Sequence, residues 1–177
     1  YQRLVAFLND DAADKRARFV DELLDDSAYA EHFSTIWGNL LVGRAQNRRT
    51  NRGALERWIK RQFEKNARYD QFVYDLIAAE GNSDQNGAVG FLAAHLNENA
   101  VPATAITARL FLGLQVQCTQ CHNHPFNDWK QSQFWGMNAF FRGTRRQGMG
   151  NMRQDFELTD NDAESIVFFE KRSGIME

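Results

Sequence analysis

The two cysteines of the chain lie three positions apart, in the run Cys118-Thr119-Gln120-Cys121-His122. This C-x-x-C-H spacing is typical of c-type haem attachment. Each of two thiols at this separation can form a thioether bond to one vinyl group of the same porphyrin, while the adjacent imidazole reaches the iron. The motif therefore predicts one covalent haem c, held by Cys118 and Cys121, with His122 as the proximal iron ligand.

Other kinds of site use the same cysteine spacing. A zinc site formed by both cysteines, His122 and His124 would crowd its ligands into seven residues, a strain that a distant ligand such as His32 would relieve. A redox disulfide pair expects a strand before a helix, whereas the residues before the motif have a helical pattern. An iron–sulfur cluster needs further soft ligands, and the chain has no other cysteine. Haem is favoured, while zinc and a disulfide remain open.

The distal side of such an iron needs a ligand from elsewhere in the chain, or has none. His124 is too close to His122 to reach the opposite face. It could bond a haem propionate, ligate a neighbouring haem or fold the loop before Pro125. Met137 lies between aromatic residues, which favours core filling. The candidates for the distal ligand are His32, His95, Met137, Met149 and Met152.

The segment after the motif is unusually aromatic, and arginines follow it. The aromatic side chains predict either a wall against the porphyrin or ordinary core, and the two are compatible. The arginines are candidates to pair with haem propionates. The aromatic residues are Phe126, Trp129, Phe134, Trp135, Phe140 and Phe141, and the arginines are Arg142, Arg145 and Arg146.

The spacing of apolar residues predicts helices through most of the chain. We expect an all-α fold, a single helical domain of about six to seven helices with an irregular C-terminal tail. Residues 1–142 would form the haem domain, and residues 143–177 a Gly- and Arg-rich loop and a tail in which 166–169 is a strand or an extended arm. The predicted helices cover residues 10–26, 27–43, 55–63, 69–81, 89–96, 102–117 and 131–141.

Composition excludes several classes of protein. The 177 residues are 43% hydrophobic and 25% charged, which is typical of a globular domain and not of a disordered or fibrous chain. No apolar run approaches the roughly 18 residues of a membrane span. The 21 basic and 23 acidic residues are too balanced for nucleic-acid binding through the whole surface. Residues 9–31 hold eight acids and three bases and residues 42–68 nine bases and two acids, so each segment is a solvated face or a docking patch for a redox partner.

The run from Arg109 to Phe126, RLFLGLQVQCTQCHNHPF, resembles the planctomycetal cytochrome-C-like domain, a family of uncharacterised function. The later residues Trp129 and 133–136 fit as well, and the resemblance covers about residues 10–142. It implies that Cys118, Cys121 and His122 are the haem-attachment residues. It also ranks His32 first among the distal candidates, because that histidine lies in a matching segment, and it includes His124 as a second histidine without a clear role.

The resemblance also implies a context. Domains of this family usually occur in large exported proteins, followed by a second uncharacterised domain, so we expect a fragment of a longer periplasmic or extracellular protein. Covalent haem attachment on the outer side of the bacterial membrane agrees with export. We expect an electron carrier that passes electrons to a redox partner protein or a neighbouring haem domain. A haem enzyme, or a binding module braced by zinc or a disulfide, is the alternative, and no carboxylate pair stands out as catalytic.

Overall fold

The structure is a computed structural model, and it describes residues 1–45, 49–148, 155–161, 166–169 and 172–175. These residues form one mostly helical domain with a few short strands, which confirms the predicted fold class. None of the described helices combines the length and the hydropathy that a membrane-spanning helix requires. The helices are α1 Gln2–Asn9, α2 Lys15–Leu24, α3 Ser27–Val42, α4 Arg52–Glu64, α5 Tyr69–Ile77, α6 Val89–His95, α7 Val101–Phe111 and α8 Gln131–Arg142; the strands are β1 Gly81–Asn82, β2 Arg145–Gly148, β3 Phe156–Thr159, β4 Ile166–Phe169 and β5 Arg172–Ile175.

Local caps set the starts of the central helices. The Asp26 carboxylate accepts the backbone N–H of Ala28 at 2.9 Å and caps α3. The Asn51 side chain caps α4 in the same way, accepting the N–H of Ala54 at 3.1 Å. α7 begins with Pro102 in its first turn, where proline costs no hydrogen bond. These helices therefore begin where the sequence favours it.

The core consists of one large apolar cluster and one small one. The large cluster joins α3–α7 to β3, and its fully buried side chains include Leu41, Leu55 and Phe91. The small cluster contains Ala108, Val116 and Phe134, between the end of α7 and α8. Met137 packs against both clusters, as expected for a core-filling methionine. Val116 of the small cluster lies two residues before Cys118, and its carbonyl accepts a hydrogen bond from Thr119 of the motif.

Several helix predictions differ from the structure at their ends. The helix predicted over residues 10–26 begins at Lys15 and ends at Leu24, and the helix predicted over 69–81 ends at Ile77. α1 lies before the first predicted helix, and its aromatic contact is the Phe7 ring, 4.9 Å from the Phe19 ring of α2. The helix predicted to reach residue 117 ends at Phe111, because Gly113 has a φ of +69°, the left-handed conformation that a helix interior does not allow. The chain therefore leaves the helix well before the motif and approaches it as a loop.

The Gly- and Arg-rich segment is partly a strand rather than a loop. β2 pairs antiparallel with β3, which also pairs with β1 to give the order β1-β3-β2. The Arg146 guanidinium lies 4.6 Å from the centre of the Phe156 ring, and its Nε donates to the carbonyl of Arg49 at 2.9 Å. Burial, and secondarily the charge of Arg49, lowers the pKa of Arg146. Residues 166–169, predicted as a strand or an extended arm, form β4, which pairs with β5.

Candidate functional site

A short 3₁₀ turn, Gln117–Gln120, contains the first cysteine of the motif and both residues between the cysteines. One buried side chain anchors this turn. Thr119 is fully buried, and its Oγ1 donates to the carbonyl of Val116 at 2.5 Å. The N–H of Cys121 then points to the carbonyl of Cys118 at 3.4 Å, which closes the turn around both cysteines. Cys118 is half-buried and Cys121 exposed, and both are free thiols. The turn thus holds both thiols close to the surface while Thr119 fixes it to the core.

The N-terminal end of α8 holds the same turn from the other side. The indole Nε1 of Trp135 and the side-chain amide of Gln131 both donate to the carbonyl of Gln120, at 3.1 and 3.0 Å. The N–H of Gln131 also donates to the Oδ1 of Asn123 at 3.0 Å. Sequence reasoning identified Trp135 only as one of several aromatic residues. Its separation of four positions from Gln131, on one face of α8, was the available indication that both reach one acceptor.

The hydrogen bond of His122 selects its free ring nitrogen. Nδ1 lies 2.6 Å from the carbonyl of Asn123, and a carbonyl oxygen can only accept. Nδ1 therefore carries the proton in this contact, and Nε2 keeps the lone pair that a metal would take. A bond from Nδ1–H to a backbone carbonyl is the usual support for a metal-ligating imidazole. His122 is exposed, so Nε2 is not enclosed by the described residues.

His124 uses both ring nitrogens to fold its own loop. The N–H of Phe126 donates to Nδ1 at 3.1 Å, so Nε2 carries the proton and donates to the carbonyl of Gln115 at 3.2 Å. The backbone N–H of His124 donates to the carbonyl of Trp129 at 2.8 Å, which closes the loop. Of the three roles considered for His124, the geometry favours folding the loop around Pro125.

The candidate distal ligands lie in other surroundings. His32 is exposed on α3, with its ring 5.6 Å from that of Phe33. His95 donates from Nε2 to the carbonyl of Leu41 at 2.7 Å, and burial lowers its pKa, which favours the neutral ring. Met137 fills the core. Within the described ranges no hydrogen bond or ring contact connects these side chains to the motif, and Met149 and Met152 lie outside those ranges.

The aromatic residues and arginines after the motif divide into different roles. Phe134 and Phe141 are buried in the core, as one of the two predictions expected. Phe126 stands out from the loop, 92% exposed. Arg145 donates to the carbonyls of Arg142 and Thr144, and Arg146 packs on the sheet. No contact brings either arginine to the motif in the described part of the chain.

Zinc and covalent haem make different demands on the donor set of the turn. A structural zinc site brings four ligands to one point, at roughly 2.0–2.3 Å from the metal. Among the described residues no three Cys, His, Asp or Glu side chains form such a group. A c-type haem does not need four ligands at one point, because the two thiols bond the edge of the porphyrin and the imidazole binds the iron. Cys118 and Cys121 are free thiols, and His122, which follows them, keeps Nε2 available.

The fold and the site define a class: a helical domain that presents a C-x-x-C-H turn near its surface. Residues 1–146 match the PSCyt2 family, described as a protein of unknown function (DUF1549). That match spans most of the chain, so the chain belongs to the PSCyt2 family. No curated protein and no solved structure matches it. Membership brings no established activity with it.

Proposed function

We propose that this domain is a c-type haem electron-transfer module with one covalent haem. Cys118 and Cys121 would hold the porphyrin through thioether bonds, and His122 would bind the iron through Nε2. The observation that carries the proposal is the hydrogen bond from His122 Nδ1 to the carbonyl of Asn123, beside two free cysteines on one turn. Since covalent attachment takes place outside the cytoplasm, we also propose a periplasmic or extracellular location.

The residues around the turn would fix the geometry of attachment. Thr119 anchors it to the core, and Trp135 and Gln131 both hold the carbonyl of Gln120. Supporting hydrogen bonds of this kind keep reactive groups in position without direct contact with the cofactor. When bound, the haem would supply one-electron redox chemistry. Because Cys121 and His122 are exposed, a redox partner or a neighbouring haem domain can approach the site.

A second candidate is a haem enzyme whose iron keeps one open position. The observation that favours it is that two candidate distal ligands already have other contacts. His95 bonds the Leu41 carbonyl, and Met137 packs against the core. Small oxidants would then bind opposite His122, or electrons would pass to a catalytic domain. A module braced by zinc or a disulfide is the remaining alternative.

The first test is the absorption spectrum of protein exported together with haem-attachment machinery, recorded oxidised and reduced. We expect sharp haem c bands, low-spin for an electron carrier and high-spin for an open iron. The Cys118→Ala/Cys121→Ala variant should lose covalent haem, since both bonding sulfurs are gone. Haem that stays attached to this variant on a denaturing gel would contradict the assignment.

Histidine variants then assign the iron ligands. His122→Ala should keep the haem attached but shift the Soret band and the reduction potential, because the iron loses its proximal imidazole. An unchanged spectrum would remove His122 from the iron. His32→Ala serves as the matched comparison: a change from low-spin to high-spin would make His32 the distal ligand, and an unchanged spectrum would exclude it.

A further inference from the structure

A long trough lies between α2, α3, α4 and α5, away from the C-x-x-C-H turn. It consists of two adjoining cavities of about 590 and 190 Å³. Both cavities are lined by Tyr29, Phe63 and Asn66, so they form one continuous depression. We call it the aromatic trough. Its larger end is acidic and its smaller end is walled by rings.

The walls of the smaller end are aromatic side chains in mutual contact. The Tyr29 and Phe33 rings lie 4.7 Å apart, the Phe33 and Phe63 rings 5.5 Å apart, and the Trp37 ring lies 6.2 Å from that of Tyr69. Tyr69 is 55% exposed and the other four are half-buried, so ring surface remains open to a ligand. The faces of such rings attract organic cations within about 6 Å of the ring centre.

The larger end adds carboxylates whose charge is little compensated. Asp21, Asp25, Asp26 and Glu64 line it, and no lysine or arginine among the described residues does. Asp26 is already bonded to Ala28 and Arg3. The Nζ of Lys60 is 3.9 Å from the Glu64 carboxylate but bonds Glu31 at 2.9 Å. No ion pair compensates Asp21 or Asp25 in the described part of the chain. The charge of the trough is therefore complementary to a cation.

A neighbouring cavity shows what such a surface accepts. Between α1 and α2, rings and carboxylates surround basic side chains of the chain itself. The Arg3 guanidinium lies 5.9 Å from the centre of the Phe19 ring and pairs with Glu22 at 2.9 Å. The Nζ of Lys15 lies 5.2 Å from the centre of the Phe7 ring. The aromatic trough offers the same combination of rings and carboxylates. Basic side chains of the chain itself reach only part of it, since Arg3 pairs with Asp26 and Lys60 lies 3.9 Å from Glu64. Among the described residues, Asp21 and Asp25 have no such ion pair.

We infer that the aromatic trough binds a basic, extended segment of a partner polypeptide. A lysine or arginine of that segment would lie against Tyr29, Phe63 and the rings beyond them, and its neighbours would meet Asp21 and Asp25. Two adjoining cavities suit consecutive side chains better than one small amine. The inference concerns a surface separate from the cysteine turn and does not depend on haem.

The test measures binding of a short capped peptide of alternating lysine and serine to the 177-residue chain, by calorimetry and by NMR shifts of the trough amides. Asp21→Asn/Asp25→Asn removes two exposed charges, and Asp11→Asn/Glu80→Gln removes two exposed charges elsewhere. Tyr69→Leu removes a trough ring that is 55% exposed, and Tyr74→Leu removes a ring of the same helix that is 65% exposed. A glutamate–serine peptide and N-acetyl-lysine amide complete the set.

We expect each trough variant to weaken binding of the lysine peptide about tenfold, and each control variant by less than about twofold. Equal binding by the trough and control variants would overturn the inference, as would a lysine peptide that binds no better than the glutamate peptide. N-acetyl-lysine amide that binds as tightly as the peptide would overturn a polypeptide partner. Circular dichroism of each variant checks that these exposed substitutions leave the fold intact.

Discussion

The main core and the cysteine turn are held in place by different forces. In the core, Leu55, Ile59 and Phe91 are fully buried, so burial of apolar surface fixes their positions. In the turn, Cys121 and His122 are exposed, and the segment is held by hydrogen bonds to backbone carbonyls, above all that of Gln120. Stability and site geometry therefore have separate sources. Substitutions in one region should leave the other largely unchanged.

The largest effect is expected in the core. Phe91→Ala removes a fully buried ring that contacts Phe111 and His95, and should lower the free energy of unfolding by about 3–5 kcal/mol. Urea denaturation measures this loss. Phe140→Ala is the matched control, because Phe140 is 63% exposed; it should change stability by no more than about 0.5 kcal/mol. Equal losses in the two variants would contradict the division into regions.

A smaller and local effect is expected in the loop. His124→Ala removes the acceptor of the Phe126 N–H and the donor to Gln115, which should ease local opening by about 1–2 kcal/mol. Hydrogen exchange should quicken at the amides of Phe126 and residue 124, which bond the His124 ring and the Trp129 carbonyl, while amides of α4 keep their protection. His124→Asn, whose amide oxygen can replace Nδ1, should recover part of the protection. Faster exchange throughout α4 would show that the loop supports the core after all.

The smallest effect is expected in the pH dependence of stability, through His95. Burial lowers the pKa of His95 below its ordinary 6.5, so the unfolded chain binds this proton more readily than the folded one. The contribution of His95 to stability is therefore complete above pH 6.5 and is lost as the pH falls from there through the folded pKa. Between pH 7 and 5, the urea midpoint of His95→Gln should fall less with decreasing pH than that of the unsubstituted protein. His32→Gln, at an exposed site, should leave the pH dependence unchanged. If the urea midpoints of both variants changed with pH in the same way, the assigned contribution of His95 would be wrong.

Much of the fold follows from local pattern. Apolar spacing predicted α3 and α8 to within one residue of their observed bounds and α4 to within three, because each of these helices buries one face. The helix predicted over 69–81 ran four residues past the end of α5. The strand β2 was missed, because its stability comes from pairing with β3 and from the contact of Arg146 with Phe156, which no local pattern contains. The helix predicted over 102–117 runs through Gly113, although the left-handed φ of that glycine lies beyond the end of α7 at Phe111.

The cysteine turn was predictable and its supports were not. Cys118, Cys121 and His122 are adjacent in sequence, so their spacing alone suggested the chemistry. The bonds that position them come from Trp135 and Gln131 on the next helix and from the Asn123 carbonyl, and these depend on how the loop folds back. Sequence left three roles open for His124, and its hydrogen bonds favour one of them.

The most direct test of the haem proposal is the intact mass of the denatured protein after export with haem-attachment machinery. We predict the mass of the chain plus one haem, lost in Cys118→Ala/Cys121→Ala and kept in His124→Ala. A mass equal to that of the bare chain would contradict the proposal, whether the cysteines are reduced or joined in a disulfide. Stoichiometric zinc in the protein before denaturation, or a disulfide, would then point to a braced binding module.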